Sequence, residues 1–142
     1  MKNVLILGST GSIGINTLKV IRRHCDRFRV VGLTAYNSLD AFERQIREFQ
    51  PRWAAIRADL SGSLKKRLGS RKVKILDVDT DLEDLVSMKS VDIVVIAMRG
   101  AAALRPFLKA VQSGKTVLPA NKEALVIGGD FLIVKSDEKI GA

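Results

Sequence analysis

A glycine-rich loop close to the amino terminus constrains the fold more than any other feature of this sequence. The loop spans residues 8–14, Gly-Ser-Thr-Gly-Ser-Ile-Gly, and carries glycine at every third position. A short apolar run, residues 4–7, precedes it, and apolar residues at helical spacing follow from Ile13 onward. A strand, a glycine turn and a helix in this order predict a dinucleotide-binding unit, with the pyrophosphate at the start of the helix.

Strand-like and helix-like segments alternate along the rest of the chain. Further strands are predicted at residues 28–33, 53–56, 73–76, 91–97 and 116–118, and further helices at 39–49, 60–68, 101–111 and 123–134. Pro106 fits the first turn of its helix, and Gly114 is a helix stop. The alternation predicts an α/β fold with a Rossmann-like, doubly wound, mainly parallel sheet, and the length predicts one domain over residues 1–142.

Charge and hydropathy narrow the range of partners. The chain has 24 Lys and Arg against 15 Asp and Glu, and a net charge of +9 attracts phosphorylated ligands or nucleic acid. The basic residues are scattered in pairs without an aromatic stripe, so no nucleic-acid partner is expected. The longest apolar run, residues 93–98, is too short for a membrane span. A single cysteine, Cys25, cannot form an internal disulfide, and a cytoplasmic location is expected.

The loop has the chemistry that a pyrophosphate needs. Its glycines allow a tight turn and a close approach of the anion, and the amides of Gly11, Ser12 and Ile13 are donors at a helix start. The hydroxyls of Ser9, Thr10 and Ser12 are expected to add donors.

The end of the second strand decides which dinucleotide is preferred. An NAD site would have an Asp or Glu there for the ribose 2′-hydroxyl. Residues 33–38 read Leu-Thr-Ala-Tyr-Asn-Ser, and no carboxylate follows until Asp40. Asn37 and Ser38 can donate hydrogen bonds to a 2′-phosphate. NADP is therefore predicted in preference to NAD.

Two separate motifs resemble one known family. The loop with the following Thr17-Leu18 is the first, and the second is Gly114-Lys115-Thr116 followed by residues 120–126, Ala-Asn-Lys-Glu-Ala-Leu-Val. Both resemble signatures of the 1-deoxy-D-xylulose 5-phosphate reductoisomerase family, in the same order and at about the same separation. The resemblance covers essentially the whole chain.

The resemblance implies an activity and a set of site residues. Members of the family convert 1-deoxy-D-xylulose 5-phosphate to 2-C-methyl-D-erythritol 4-phosphate in non-mevalonate isoprenoid biosynthesis, with NADPH and a divalent metal, Mg or Mn. A homodimer is expected for the complete enzyme. By position, the implied contacts are Thr10, Gly11, Ser12 and Ile13 with the pyrophosphate, Asn37 with the 2′-phosphate, Asn121 and Glu123 with the nicotinamide end, and Lys122 with the phosphosugar substrate.

The sequence departs from the family pattern in three places, one of which is residues 100–103, Gly-Ala-Ala-Ala, where the family more often has a second glycine. The acidic motif with which the family binds its metal would lie beyond Ala142, and Asp137 and Glu138 belong to a polar stretch that does not match it. This chain alone is therefore expected to bind cofactor without turnover, with no catalytic or metal-binding residue of its own. Many members also carry a basic residue beside the asparagine, where this chain has Tyr36.

Several alternatives stay open on the sequence alone. A non-catalytic NADP-sensing protein with a Rossmann fold is the alternative function. Arg99 is either a phosphate contact or a surface charge. His24 is expected to be a helix-end cation, and Trp53 to belong to the core.

Overall fold

The computed structural model describes residues 1–119 and shows one six-stranded sheet with helices on both faces. The strands are β1 (Lys2–Leu7), β2 (Phe28–Thr34), β3 (Trp53–Ile56), β4 (Lys74–Asp77), β5 (Ile93–Ile96) and β6 (Thr116–Pro119). The helices are α1 (Ser12–Arg23), α2 (Leu39–Phe49), α3 (Ala58–Leu68), α4 (Leu82–Val86) and α5 (Leu104–Gln112). The helix predicted at residues 123–134 lies outside the described residues.

The sheet order is β4-β3-β2-β1-β5-β6, and every pair of neighbouring strands is parallel. The chain builds outward from β1 to β4 and then crosses back to place β5 on the other side of β1. This reversal makes the fold doubly wound, and the predicted Rossmann-like α/β class is confirmed.

Side chains of β1 enter two separate cores because the strand is covered on both faces. Val4 and Ile6 pack with buried residues of α1, α2 and α3, whereas Leu5 and Leu7 pack with those of α4 and α5. All four are at most 2% exposed. A continuous apolar run is what a parallel strand between two helical layers requires.

Two elements differ from the sequence-based expectation. Helix α4 was not predicted, because five residues give too little periodicity to distinguish a helix from a loop. Its Leu82, Leu85 and Val86 are buried against the sheet. The predicted helix at 101–111 begins instead as a 3-10 turn, Ala101–Ala103, and continues as α5.

The end of α5 follows the prediction at Gly114. This glycine has a φ of 76°, and its N–H donates to the carbonyl of Val111 at 3.1 Å. The next N–H, of Lys115, donates to the carbonyl of Ala110 at 3.1 Å. The pair of bonds forms a Schellman motif, which ends the helix and directs the chain into β6. Pro106 lies in the first turn of α5, as predicted.

Candidate dinucleotide site

The carboxyl ends of the parallel strands meet at one edge of the sheet, and the candidate site lies there. The strand order reverses at β1, between β2 and β5. In open α/β sheets, ligands bind in the crevice outside the carboxyl ends of the strands at such a reversal. The glycine loop joins β1 to α1 at this point.

Two glycines of the loop are required by the protein's own backbone. Gly8 has a φ of 87°, and a Cβ there would lie 3.0 Å from the backbone of Ala97 and Met98, which follows β5. A Cβ at Gly14 would lie 2.3 Å from the carbonyl oxygen of Gly8. The loop therefore turns tightly against β5, and α1 packs directly on the loop.

The loop is held to the end of β2 by Thr34. The N–H groups of Gly8 and Ser9 donate to the Thr34 carbonyl at 3.2 and 2.8 Å, and the N–H of Gly8 also lies 2.9 Å from Thr34 Oγ1. Thr34 is 2% exposed. These buried bonds fix the loop relative to the strand that ends beside it.

The expectation that Ser9 provides a phosphate donor is wrong. Ser9 is fully buried, and its Oγ lies 2.7 Å from Gln45 Oε1 and 3.3 Å from the Thr34 carbonyl. The Gln45 amide in turn donates to the Ser9 carbonyl at 2.9 Å. The hydroxyl faces the protein, so Ser9 positions the loop on α2.

The middle of the loop is open. Thr10 is half-buried, whereas Gly11, Ser12 and Ile13 are exposed. Gly11 is the residue that precedes α1, and no side chain caps the helix start. Free N–H groups at the start of a helix form a site for an anion.

Gly11 differs from its two neighbouring glycines. Its φ of −78° is accessible to any residue, and the nearest atom to an added Cβ is the Gly8 carbonyl oxygen, 3.9 Å away. The described fold thus does not require glycine at this position. The space beside Gly11 is open to solvent.

An arginine that the sequence analysis did not identify contacts the loop after β2. Arg57 follows β3, and its Nη1 donates to Asn37 Oδ1. The guanidinium lies 5.3 Å from the ring centroid of Tyr36. Asp40, the first carboxylate after β2, contacts Arg67 of α3. The signal for Arg57 was its position directly after a buried strand, since such positions converge at one sheet edge.

A cleft of about 280 Å³ lies on this edge, between the segments that follow β2, β4 and β5. Tyr36 forms one wall, and Val78, Met98 and Pro106 contribute apolar surface. Thr80 adds a hydroxyl. Asp79, Glu83 and Arg105 also line the cleft, although most of its surface is apolar. A mainly apolar cleft with a few polar groups is typical of a small-molecule site.

The second motif is only partly described. Lys115 Nζ donates to the carbonyls of Met88 and Val91 at 2.5 and 2.6 Å. Since these residues lie before β5 and β6, at the amino ends of the strands, Lys115 is far from the glycine loop and holds the fold together. Asn121, Lys122 and Glu123 lie outside the described residues, as do Asp137 and Glu138.

Other residues singled out from the sequence fall at the surface or the opposite edge. His24 and Arg99 are exposed, and His24 ends α1. Trp53 begins β3, at the amino edge, and packs against the core as predicted.

Within residues 1–119, no group of three His, Cys, Asp or Glu side chains is arranged to hold a metal ion. No helix in the same part of the chain is long and apolar enough to cross a membrane.

A comparison with protein families gives a match to the model of 1-deoxy-D-xylulose 5-phosphate reductoisomerase over residues 4–129. The chain belongs to the 1-deoxy-D-xylulose 5-phosphate reductoisomerase family. Reductoisomerases with this name from Methylococcus capsulatus and Desulfosudis oleivorans are 46% and 45% identical, over 139 and 142 residues. The alignments cover 95% and 98% of this chain but only 35% and 37% of those proteins.

Solved reductoisomerase structures share the fold. A crystal structure of DOX-P reductoisomerase in complex with NADPH, fosmidomycin and magnesium matches with a TM-score of 0.88 and 36% identity, over 98% of this chain and 35% of that one. The reductoisomerase of Zymomonas mobilis in complex with NADPH gives 0.84 and 34%, over 97% and 36%. The chain therefore spans about a third of the reductoisomerases it matches, and nothing in these similarities favours a non-catalytic sensor.

Proposed function

We propose that residues 1–142 are the NADPH-binding domain of a 1-deoxy-D-xylulose 5-phosphate reductoisomerase. The whole protein would convert 1-deoxy-D-xylulose 5-phosphate to 2-C-methyl-D-erythritol 4-phosphate in non-mevalonate isoprenoid biosynthesis. The observation that carries this proposal is the open amino terminus of α1 at the point where the strand order reverses, in a chain that belongs to this family.

The described residues fit a dinucleotide. Gly11 leaves open space where the fold itself tolerates a side chain, and the amides of Gly11, Ser12 and Ile13 stand at a helix start. Thr10 is placed to add a hydroxyl at the same turn. NADPH would supply the hydride, and these residues would hold and orient its pyrophosphate.

The other cofactor contacts are assigned by position in the chain. Asn37 would contact the 2′-phosphate, and its exposed place after β2 supports this role. Asn121 and Glu123 would contact the nicotinamide end, and Lys122 the substrate. These three residues closely follow β6, which ends at Pro119 on the edge that carries the glycine loop.

The described residues do not provide a site for a divalent metal. The matching reductoisomerase structures include complexes with magnesium. Residues 1–119 present no cluster of ligands for such an ion, so we derive no catalytic step through a metal from the described residues. We propose that a divalent metal, Mg or Mn, is bound only in the complete enzyme.

We propose a cytoplasmic protein with a phosphosugar substrate and no nucleic-acid or membrane partner. The single cysteine and the absence of a continuous basic and aromatic surface pattern in the sequence support this view. A homodimer is proposed for the complete enzyme.

Amide chemical-shift mapping of the 15N-labelled chain during titration with NADPH tests the site directly. The largest shifts are expected at Gly11, Ser12 and Ile13, with further shifts at Asn37, Asn121 and Glu123. Lys115 should not shift, because it lies at the opposite edge of the sheet. Shifts confined to residues away from the glycine loop would overturn the proposal.

A further inference from the structure

We propose that Arg57 reads the 2′-phosphate of NADPH and thereby sets the preference for NADPH over NADH. This inference rests on the proposed function and assigns a role to a residue outside both family motifs.

Arg57 lies directly after β3. In the sheet, β3 pairs with β2 in parallel register, with Ala55 opposite Thr34. Arg57 therefore leaves the sheet beside the loop that contains Tyr36 and Asn37.

Three contacts hold the guanidinium in one orientation. It lies over the ring of Tyr36, donates to Asn37 Oδ1 through Nη1, and forms a two-point pair with Asp59 through Nε and Nη2 at 2.9 and 2.6 Å. The Arg57 side chain is 32% exposed, and that of Asp59 is 65% exposed. Arg57 is thus ordered by its neighbours but open to a ligand.

The guanidinium keeps donors for a ligand after these contacts. An arginine has about five N–H groups, and three of them are used here. The remaining two, one on each Nη atom, have no acceptor among residues 1–119. The planar guanidinium matches two oxygens of a phosphate, and a charge-assisted bond of this kind is stronger than a neutral one.

The surroundings favour a phosphate over a ribose hydroxyl. A 2′-phosphate carries about −1.5 to −2 charges at neutral pH, whereas the same position in NADH is a neutral hydroxyl. Asn37 accepts from Arg57 through Oδ1, so its amide N–H₂ is free to donate to the same phosphate. Asp40, which would repel the anion, is paired with Arg67 instead.

Tyr36 connects Arg57 and Asn37 to the cleft on the same edge of the sheet. Its ring is contacted by Arg57 and also lines the cleft of about 280 Å³ that includes Met98 and Pro106. The cleft has room for a base and a mainly apolar lining, which also includes the charged residues Asp79, Glu83 and Arg105. A ring in that cleft would place the attached ribose next to Tyr36, and its 2′ substituent within reach of Arg57 and Asn37. Asp59 is a positioning residue: it orients the guanidinium, and as a carboxylate it would not itself bind a phosphate.

The test compares dissociation constants of NADPH and NADH for the 142-residue chain, measured by nicotinamide fluorescence. Arg57→Gln removes the cation and keeps a polar, though shorter, side chain. Arg52→Gln is the matched control, because Arg52 is exposed just before β3, at the opposite edge. Thermal unfolding of each variant verifies that the fold is kept.

Arg57→Gln should weaken NADPH about 10- to 100-fold, the effect of losing a charge-assisted pair, and leave NADH unchanged. Arg52→Gln should change neither constant. Equal weakening of NADPH and NADH by Arg57→Gln, or no weakening of NADPH, would overturn the role of Arg57 while leaving the dinucleotide site intact. Failure of the unaltered chain to bind either nucleotide would instead overturn the proposed function and this inference with it.

Discussion

Gly14, in the first turn of α1, lies directly against Gly8: a Cβ at position 14 would stand 2.3 Å from the Gly8 carbonyl oxygen and 2.6 Å from the Ser9 Cα. Both neighbours are backbone atoms, which cannot rotate out of the way as a side chain can. Helix α1 can therefore pack directly on the loop only because residue 14 has no side chain.

Gly14→Ala should lower the free energy of unfolding by about 1–3 kcal/mol, because the added methyl forces the helix away from the loop. Gly62→Ala is the control, since Gly62 lies within α3 and an added Cβ meets nothing within 4 Å. It should stabilise the chain by about 0.5–1 kcal/mol through helix propensity. Urea unfolding measures both values. Equal effects of the two substitutions would contradict the close packing of α1 on the loop.

Ser9 and Ser12 should contribute very differently to stability. Ser9→Ala removes the buried hydroxyl between Gln45 and Thr34, and the loss of its contact with the partly buried Gln45 Oε1 should cost about 1–3 kcal/mol. Ser12→Ala, at an exposed position, should change stability by no more than about 0.5 kcal/mol. Urea unfolding again distinguishes them. A loss of stability in the Ser12 variant alone would mean that the hydroxyl roles are reversed.

The fold could be predicted from the sequence because its signals are local and repeated. The apolar run of β1, the glycines at 8 and 14, and the helix stop at Gly114 each indicate the local structure within a few residues. The hydrogen-bond partner of the Ser9 hydroxyl could not be predicted in this way. It depends on Gln45, which lies 36 positions further along the chain and reaches the loop only after β2 and α2 have folded.

Lys115 should matter for stability and not for nucleotide binding. Lys115→Met removes the ammonium that bonds to the carbonyls of Met88 and Val91, and should lower the free energy of unfolding by about 1.5–3 kcal/mol. Lys89→Met is a matched control from the same region, because Lys89 is exposed. The dissociation constant for NADPH should be unchanged in both variants. A selective loss of NADPH affinity in a stable Lys115→Met protein would contradict the placement of this residue away from the site.

The ion pair between Arg22 and Glu48 predicts a pH dependence of stability. The hydrogen bond from Arg22 lowers the pKa of Glu48 below its ordinary value of about 4.5, against the opposing effect of burial. A carboxylate with a lowered pKa in the folded state stabilises the fold above its ordinary pKa, and the contribution disappears as pH falls through the folded-state value.

The difference in unfolding free energy between the unaltered chain and Glu48→Gln should accordingly be small but measurable at pH 7, since both side chains are about half exposed. It should shrink toward zero below about pH 4 and in high salt. Urea unfolding across this pH range measures it. A difference that grows as pH falls would contradict the sign of the pKa shift.

The part of the site that the sequence could predict is the part carried by contiguous residues. The glycine loop and Asn37 belong to single turns of the chain, whereas Arg57 approaches Asn37 only through the pairing of β2 with β3. The sequence shows Tyr36 and Ser38 on either side of Asn37. In the fold, Arg57, which follows the neighbouring strand β3, places a cation beside Asn37.

The most direct test of a dinucleotide site at the glycine loop is the dissociation constant of NADPH for the unaltered chain and for Gly11→Ala. The fold has room for this methyl, with its nearest neighbour at 3.9 Å, so thermal unfolding should shift by only a few degrees, the cost of alanine in place of glycine at a helix N-cap. The methyl would occupy space that the pyrophosphate needs, and NADPH affinity should fall by about tenfold or more. A stable Gly11→Ala protein that binds NADPH as tightly as the unaltered chain would contradict the account.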